Sequence, residues 1–369
     1  MKFLSVLLLI SSLSYAAPTQ QMNEALEALV RLLPFLVNEN DFADAKKQAE
    51  VSASLRKLQG AFTKVRHQDL LKEDIFSPSY ELVSESLSEA SKAFDNGQKD
   101  YAYWRLKEVT TFCIDCHTRI PKEVTSSYQN SGLFLKKELF KDTYNRALAA
   151  LIVRRYTDAT AAFRQTIQEG IIKKDHSRTP LALKNLVIID AKILRNLNNL
   201  KAELTSYSKK ELPPLIKTQI QNWLAEINSI QQSKWFKEDY QENEVELIFK
   251  ELKELRLGRT SIEKNDIKIL VSSGQLAQYS FLYPKTKFAA EINFWLGWSE
   301  KQLKRENFFS TGNNFFKQCI RKYPKHPIAK ECLSELKESI EFDFTGSSGT
   351  NIPKEIKNEL LKLENQIYQ

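Results

Sequence analysis

The chain has 369 residues, 54 of them Lys or Arg and 46 Asp or Glu, with a formal net charge of +8. That length is too great for one small domain and predicts two or more units, while scarce Gly (10) and Pro (11) beside abundant Leu, Lys, Glu and Ala predict an all-α protein. The charge is uneven: residues 18–125 carry 14 Lys/Arg against 17 Asp/Glu, net −3, and residues 126–369 carry 39 against 29, net +10. The basic residues are scattered rather than clustered, which favours a solvated Lys-rich surface over an attraction for an acidic partner protein or surface.

Residues 1–16 read as a signal peptide. Lys2 is the charged start, Phe3 to Ile10 the apolar stretch, and Ser14-Tyr15-Ala16 a small-residue cleavage site. The apolar run is too short to span a bilayer, no cysteine follows the cleavage site to take a lipid, and no later stretch is apolar enough for a transmembrane segment. The expectation is a mature protein beginning at Ala17, exported to the periplasm and soluble there, where nucleic acid is no partner.

Residues 17–125 form the first expected unit, with four helices. The first, about Gln20 to Leu36, places Met22, Leu26, Leu29, Leu33 and Leu36 on one stripe, with Pro34 expected to kink it or end it early. The second, about Phe42 to Val65, would use Ala45, Ala49, Ala53, Leu55, Leu58 and Phe62. After a break at Gln68 to Pro78, in which Phe76-Ser77-Pro78-Ser79 is a helix-start signal, the third runs from about Ser79 to Phe94 and stops at Asp95-Asn96-Gly97. The fourth, about Asp100 to Arg119, carries Leu106, Val109, Cys113, Cys116 and His117 on one side, with Pro121 beyond its end. Four helices on short loops imply an antiparallel bundle that can hold a cofactor among facing side chains.

The fourth helix ends in Cys113-Ile114-Asp115-Cys116-His117. Two thiols at this spacing followed at once by an imidazole are what covalent haem attachment requires: each thiol adds to one vinyl group and the imidazole takes the iron. On a helix, Cys113 and His117 are four residues apart with Cys116 between them, so one face can hold both porphyrin edge and metal. A redox dithiol would want a strand-helix context, and zinc would need further ligands that cluster nowhere else in the chain. The expected cofactor is therefore one covalent haem c.

This arrangement resembles the class II c-type cytochromes, the cytochrome c-prime group, and also the soluble four-helix b-type cytochrome of bacteria, which lacks thioethers. The residues that carry it are Gly97-Gln98-Lys99-Asp100 opening the last helix, Leu106, the Cys113 to His117 motif, and Met22. The resemblance covers about residues 18–125. Six-coordinate members of the group place a methionine near the start of the first helix as second axial ligand, so the resemblance implies that role for Met22; the other reading is a flexible core residue. His67, His176 and His326 read as polar surface. Tyr101, Tyr103, Trp104 and Phe112 either pack on the ring or are core aromatics.

Residues 126–133 read as a linker and 134–369 as a helical-repeat domain. Ala147 to Glu169, with Ala147-Leu148-Ala149-Ala150-Leu151, Tyr156 at the turn and Ala161-Ala162-Phe163, resembles the tetratricopeptide pattern. Phe288 to Tyr323, with Trp295-Leu296-Gly297, Phe309, Phe315 and Ile320, is a second candidate, while Pro213-Pro214 breaks the register between them. Such hairpins stack into an α-solenoid whose curved surface suits protein docking; the alternative is an irregular helical domain packed on the bundle. Cys319 and Cys332, at similar distances from the Tyr323-Pro324 turn, are a disulfide candidate, or else two buried thiols. Phe344 to Pro353 is a Gly/Ser-rich loop, a connector or a ligand loop, before a last helix at about Pro353 to Ile367.

No nucleophile-base-orienter trio or phosphate-cradling Gly motif is present, so the expected protein is no enzyme but a monohaem electron carrier with a redox partner protein. The alternatives are a haem-based gas or redox sensor with an open sixth site, and a periplasmic scaffold.

Overall fold

The computed structural model describes residues 20–36, 39–65, 69–120, 140, 142–236, 245–258, 265–303, 311–347 and 349–368. Side chains at 20–23, 69 and 70 lie outside the description, as do the signal segment, the 126–133 linker, His67, Pro121 and Phe309. Among the described residues the structure is helical apart from one two-stranded ribbon, Thr345–Gly346 paired antiparallel with Gly349–Thr350. No described helix is long and apolar enough to cross a membrane.

Apolar residues at helical spacing set the first run of helices. Helix α1 (Gln20–Leu36) buries Ala25, Ala28, Leu29, Leu32, Leu33 and Leu36. It continues two residues past Pro34, because a proline one turn from the end removes little from the hydrogen-bond ladder. The expected second helix is broken. Residues Glu39–Ala43 form a short α2, Ala45–Lys47 a 3₁₀ turn, and α3 runs Gln48–Val65. Asp44 causes the break by accepting the Lys46 N–H at 2.9 Å, which fixes a local turn in place of a continuing helix. The buried face of α3 is Val51, Ser54, Leu55, Leu58, Ala61 and Val65; Ala45, Ala49 and Ala53, expected inside, are exposed.

Helix α4 (Ser77–Asp95) starts with Pro78 in its first turn and ends where Gly97 takes φ +76°, letting the Gln98 N–H close back on the Ala93 carbonyl at 2.9 Å. Helix α5 (Lys99–His117) returns. Three bonds give the directions. Tyr103 at the start of α5 donates to the Leu36 carbonyl at the end of α1 (2.9 Å), Lys64 at the end of α3 pairs with Glu24 (3.3 Å), and Tyr80 near the start of α4 donates to the Phe62 carbonyl (3.1 Å). The start of α1, the end of α3, the start of α4 and the end of α5 therefore lie at one end, and these helices share one hydrophobic core.

The second run begins with α6 (Thr143–Ile152), capped by Asp142, and α7 (Tyr156–Lys173), joined by a three-residue turn. Helix α8 (Thr179–Val187) passes into a π-helical segment, Ile188–Ile193, and is followed by α9 (Leu197–Ser208) and α10 (Pro214–Gln231). Pro213 and Pro214 open α10, where a missing N–H costs nothing. Helices α11 (Val245–Leu257), α12 (Asp266–Leu282), α13 (Ala289–Gln302), α14 (Thr311–Lys322) and α15 (Ile328–Asp343) follow, and after the strand ribbon α16 (Lys354–Tyr368). Helix α12 is buried on almost every side between Ile267 and Ser280. A methyl placed on Gly297 would stand 2.8 Å from the Phe316 ring, so glycine there lets α13 and α14 approach closely. Cys319 of α14 and Cys332 of α15, both fully buried, are joined as a disulfide.

The two runs meet along a polar and apolar seam. Asp74, just before α4, accepts from Asn293 (2.8 Å) and Tyr323 (2.6 Å) and pairs with Lys322, while Ile75 and Phe76 are buried in the core of the second run. Asn314 and Gln318 of α14 donate to the Pro78 and Asp74 carbonyls at 3.3 and 2.8 Å.

Candidate functional site

Cys113, Cys116 and His117 occupy the last turns of α5, whose C-terminus is closed by the Thr118 N–H on the Ile114 carbonyl at 2.8 Å. The helical spacing places them where the two runs meet. Cys113 is buried in the core of α1, α3, α4 and α5, together with Ala149, Ile152 and Val153 of the second run. Cys116 is half-buried and packs against the other core. Neither thiol is bridged.

Burial, and then the neighbouring Cys116, pushes the Cys113 thiol up to about 12. Burial pushes Cys116 up to about 11, with the positive charges of Arg119 and Arg154 pulling the other way. At neutral pH both are thiols, whereas a reactive dithiol needs thiolate character. His117 is pulled down to about 4, chiefly by burial and then by Arg154, so its imidazole is neutral. Its Nδ1 lies 2.6 Å from the Ile152 carbonyl oxygen. A carbonyl only accepts, so Nδ1 carries the proton and the lone pair is left on Nε2, which is how a metal-ligating histidine is oriented.

Around the motif, the Tyr156 hydroxyl donates to the His117 carbonyl at 3.2 Å, and Arg154 reaches the Tyr156 oxygen at 3.3 Å and the Ile120 carbonyl at 3.5 Å. Asp115 is buried, with Thr311 Oγ1 3.5 Å from its carboxylate. Arg119, two residues past the histidine, is buried: it donates to Ser79 Oγ (2.6 Å) and the Ile75 carbonyl (3.3 Å), lies 4.8 Å from the Phe315 ring centre, and shares Glu300 with Lys192 at 3.5 and 2.9 Å.

These residues fit a covalently held haem. The thiols need only form carbon–sulfur bonds, and one neutral imidazole nitrogen is available as ligand. Among the described residues no three or more His, Cys, Asp or Glu side chains come together as a metal-holding group, and thioether attachment asks for none. Position 22 lies in the first turn of α1, at the same end of the helices as His117, but the Met22 side chain is outside the described residues. Tyr101, Tyr103 and Trp104 stand roughly 14 to 18 Å up the helix axis from Cys113 and make other contacts: Tyr101 bonds Glu89 at 2.7 Å, Tyr103 bonds Leu36, and the Trp104 ring lies tilted 5.8 Å from that of Tyr101. Phe112 is buried in the shared core. His326 Nε2 lies 3.4 Å from the Glu291 carboxylate. A cavity of about 390 Å³ lined by Leu183, Val187, Trp223 and Leu270 includes no residue of the motif.

Sequence reasoning missed the Ile152 carbonyl, Arg154 and Arg119. A main-chain oxygen has no sequence signature, and arginines in a Lys/Arg-rich chain do not stand out. No protein family, characterised protein or solved structure matches this chain.

Proposed function

We propose that the protein is an exported, periplasmic monohaem c-type cytochrome that carries electrons to or from a redox partner protein and is not an enzyme. Cys113 and Cys116 would hold one haem c through thioether links, His117 Nε2 would ligate the iron, and Met22 would be its second ligand. When bound, the haem supplies a one-electron Fe(III)/Fe(II) couple. The observation that carries the reading is the state of His117: neutral, its Nδ1–H spent on the Ile152 carbonyl, beside two unbridged thiols.

In this reading α1, α3, α4 and α5 are the antiparallel four-helix bundle of a class II c-type cytochrome. Helices α6 to α16 are an α-solenoid of tetratricopeptide-like hairpins that docks a partner. The chain's own work is to hold and orient: Cys113 is anchored in the shared core, and the Ile152 carbonyl keeps the imidazole in the tautomer that ligates. With His117 and Met22 both on the iron, no position would be left for a substrate, and the group would supply valence change alone.

Mass and spectrum test this together. The purified mature chain should exceed its sequence mass by one haem and be six-coordinate and low-spin, and Met22→Leu should convert it to high-spin with a lower potential. A colourless chain at its bare sequence mass ends the proposal; a wild type already high-spin removes Met22 from the iron.

A further inference from the structure

We propose that the turn between α6 and α7, Ile152 to Tyr156, forms the proximal wall of the haem site, with Arg154 supplying a fixed positive charge that favours the reduced iron. This rests on the haem reading of Cys113 to His117. It places part of the redox site in the second run of helices, in a segment more than thirty residues along the chain from the motif.

The turn is built for a defined approach. Arg154 is a non-glycine residue at φ +63°, a left-handed conformation that costs free energy and persists where surrounding contacts over-determine it. Those contacts are present: the Arg154 N–H closes on the Leu151 carbonyl at 3.0 Å and the Arg155 N–H on the Ala150 carbonyl at 2.9 Å. The guanidinium is directed at the end of α5, onto the Ile120 carbonyl and the Tyr156 oxygen, and Tyr156 in turn holds the His117 carbonyl. One turn thus grips the histidine at two points, its ring through Ile152 and its backbone through Tyr156.

A charge so placed has a definite effect. The ferric haem bears one more positive charge than the ferrous, so a cation near the iron ligand disfavours the oxidised state more. In a partly buried site the interaction is only weakly screened.

The test compares holoprotein midpoint potentials of the wild type, Arg154→Gln and Arg154→Lys. Removing the charge should lower the potential by about 59 mV, a tenfold change in the Fe(III)/Fe(II) ratio at fixed poise; lysine should restore most of it. A purely structural arginine would lower the melting temperature in both variants without ordering their potentials by charge. Haem-loaded variants with unchanged potentials overturn the inference while leaving the haem reading intact, whereas a wild type without haem sinks both. Should Arg154→Gln fail to accumulate, nitrogen-15 NMR of the reduced wild type decides: a slowly exchanging His117 Nδ1 proton supports the wall, and rapid exchange with solvent overturns it.

Discussion

Glu226 on α10 is a carboxyl buried at 6% exposure that accepts the N–H groups of Ile267 (2.9 Å) and Lys268 (3.2 Å), so it caps the first turn of α12 from another helix. Burial nonetheless outweighs those two bonds and pushes its pKa up to about 8. The folded state therefore holds a proton that the unfolded state, near 4.5, releases. The stabilisation is complete below the unfolded value and is lost as pH rises through about 8. Glu226→Gln keeps an oxygen for the cap and has nothing to titrate. Its stability relative to the wild type should rise between pH 5 and 8.5 by an amount on the order of a few kcal/mol, read from urea midpoints; a difference that stays flat across this range contradicts the assignment. Nothing in the residues around Glu226 announces this role, because its partners lie more than forty positions away.

At the level of elements, boundaries were legible where local chemistry decides them. Pro78 starts α4, Asp95-Asn96-Gly97 stops it, and Tyr156 opens α7 as the sequence suggests. The second helix was misread because Ala45, Ala49 and Ala53 satisfy the helical period as well as the true face does, and small apolar residues are tolerated in water. The π-helical turn at 188–193 was invisible too. It meets α12 at Gly274, where any side chain would collide with the Lys192 carbonyl, and it delivers the Lys192 amine to Glu300. The α14–α15 hairpin is stapled by Cys319 and Cys332, 13 residues apart. Closing a loop of that size stabilises by about 3 kcal/mol. Reductant should lower the urea midpoint accordingly, and an unchanged midpoint with both thiols shown free would contradict a stabilising staple.

For the whole molecule, the seam between the two runs is decided by Arg119, Lys192 and Glu300, all buried. Burial opposes ionisation of Glu300, yet Lys192 and then Arg119 outweigh it and hold the carboxyl below its usual range. Burial lowers Lys192, and Arg119 adds to the effect, so the two cations depend on the shared anion. Glu300→Gln leaves them facing each other and should cost about 3–5 kcal/mol. Arg119→Met leaves Lys192 and Glu300 paired and should cost less, about 1–3 kcal/mol. Denaturant titrations of the two variants measure the order; the reverse order would show that Arg119's bonds to Ser79 and Ile75 dominate the seam.

By itself the sequence determined the helical class, the ends of several helices in the first run, and the Cys113 to His117 motif, since each depends on residues within one or two turns of one another. Only the tertiary structure decided what surrounds the motif. His117 is oriented by a carbonyl 35 residues away and the adjoining charge is settled by Glu300, 181 residues from Arg119. Such contacts follow from how helix faces pack, and packing is selected by shape and burial over the whole chain rather than by any local pattern.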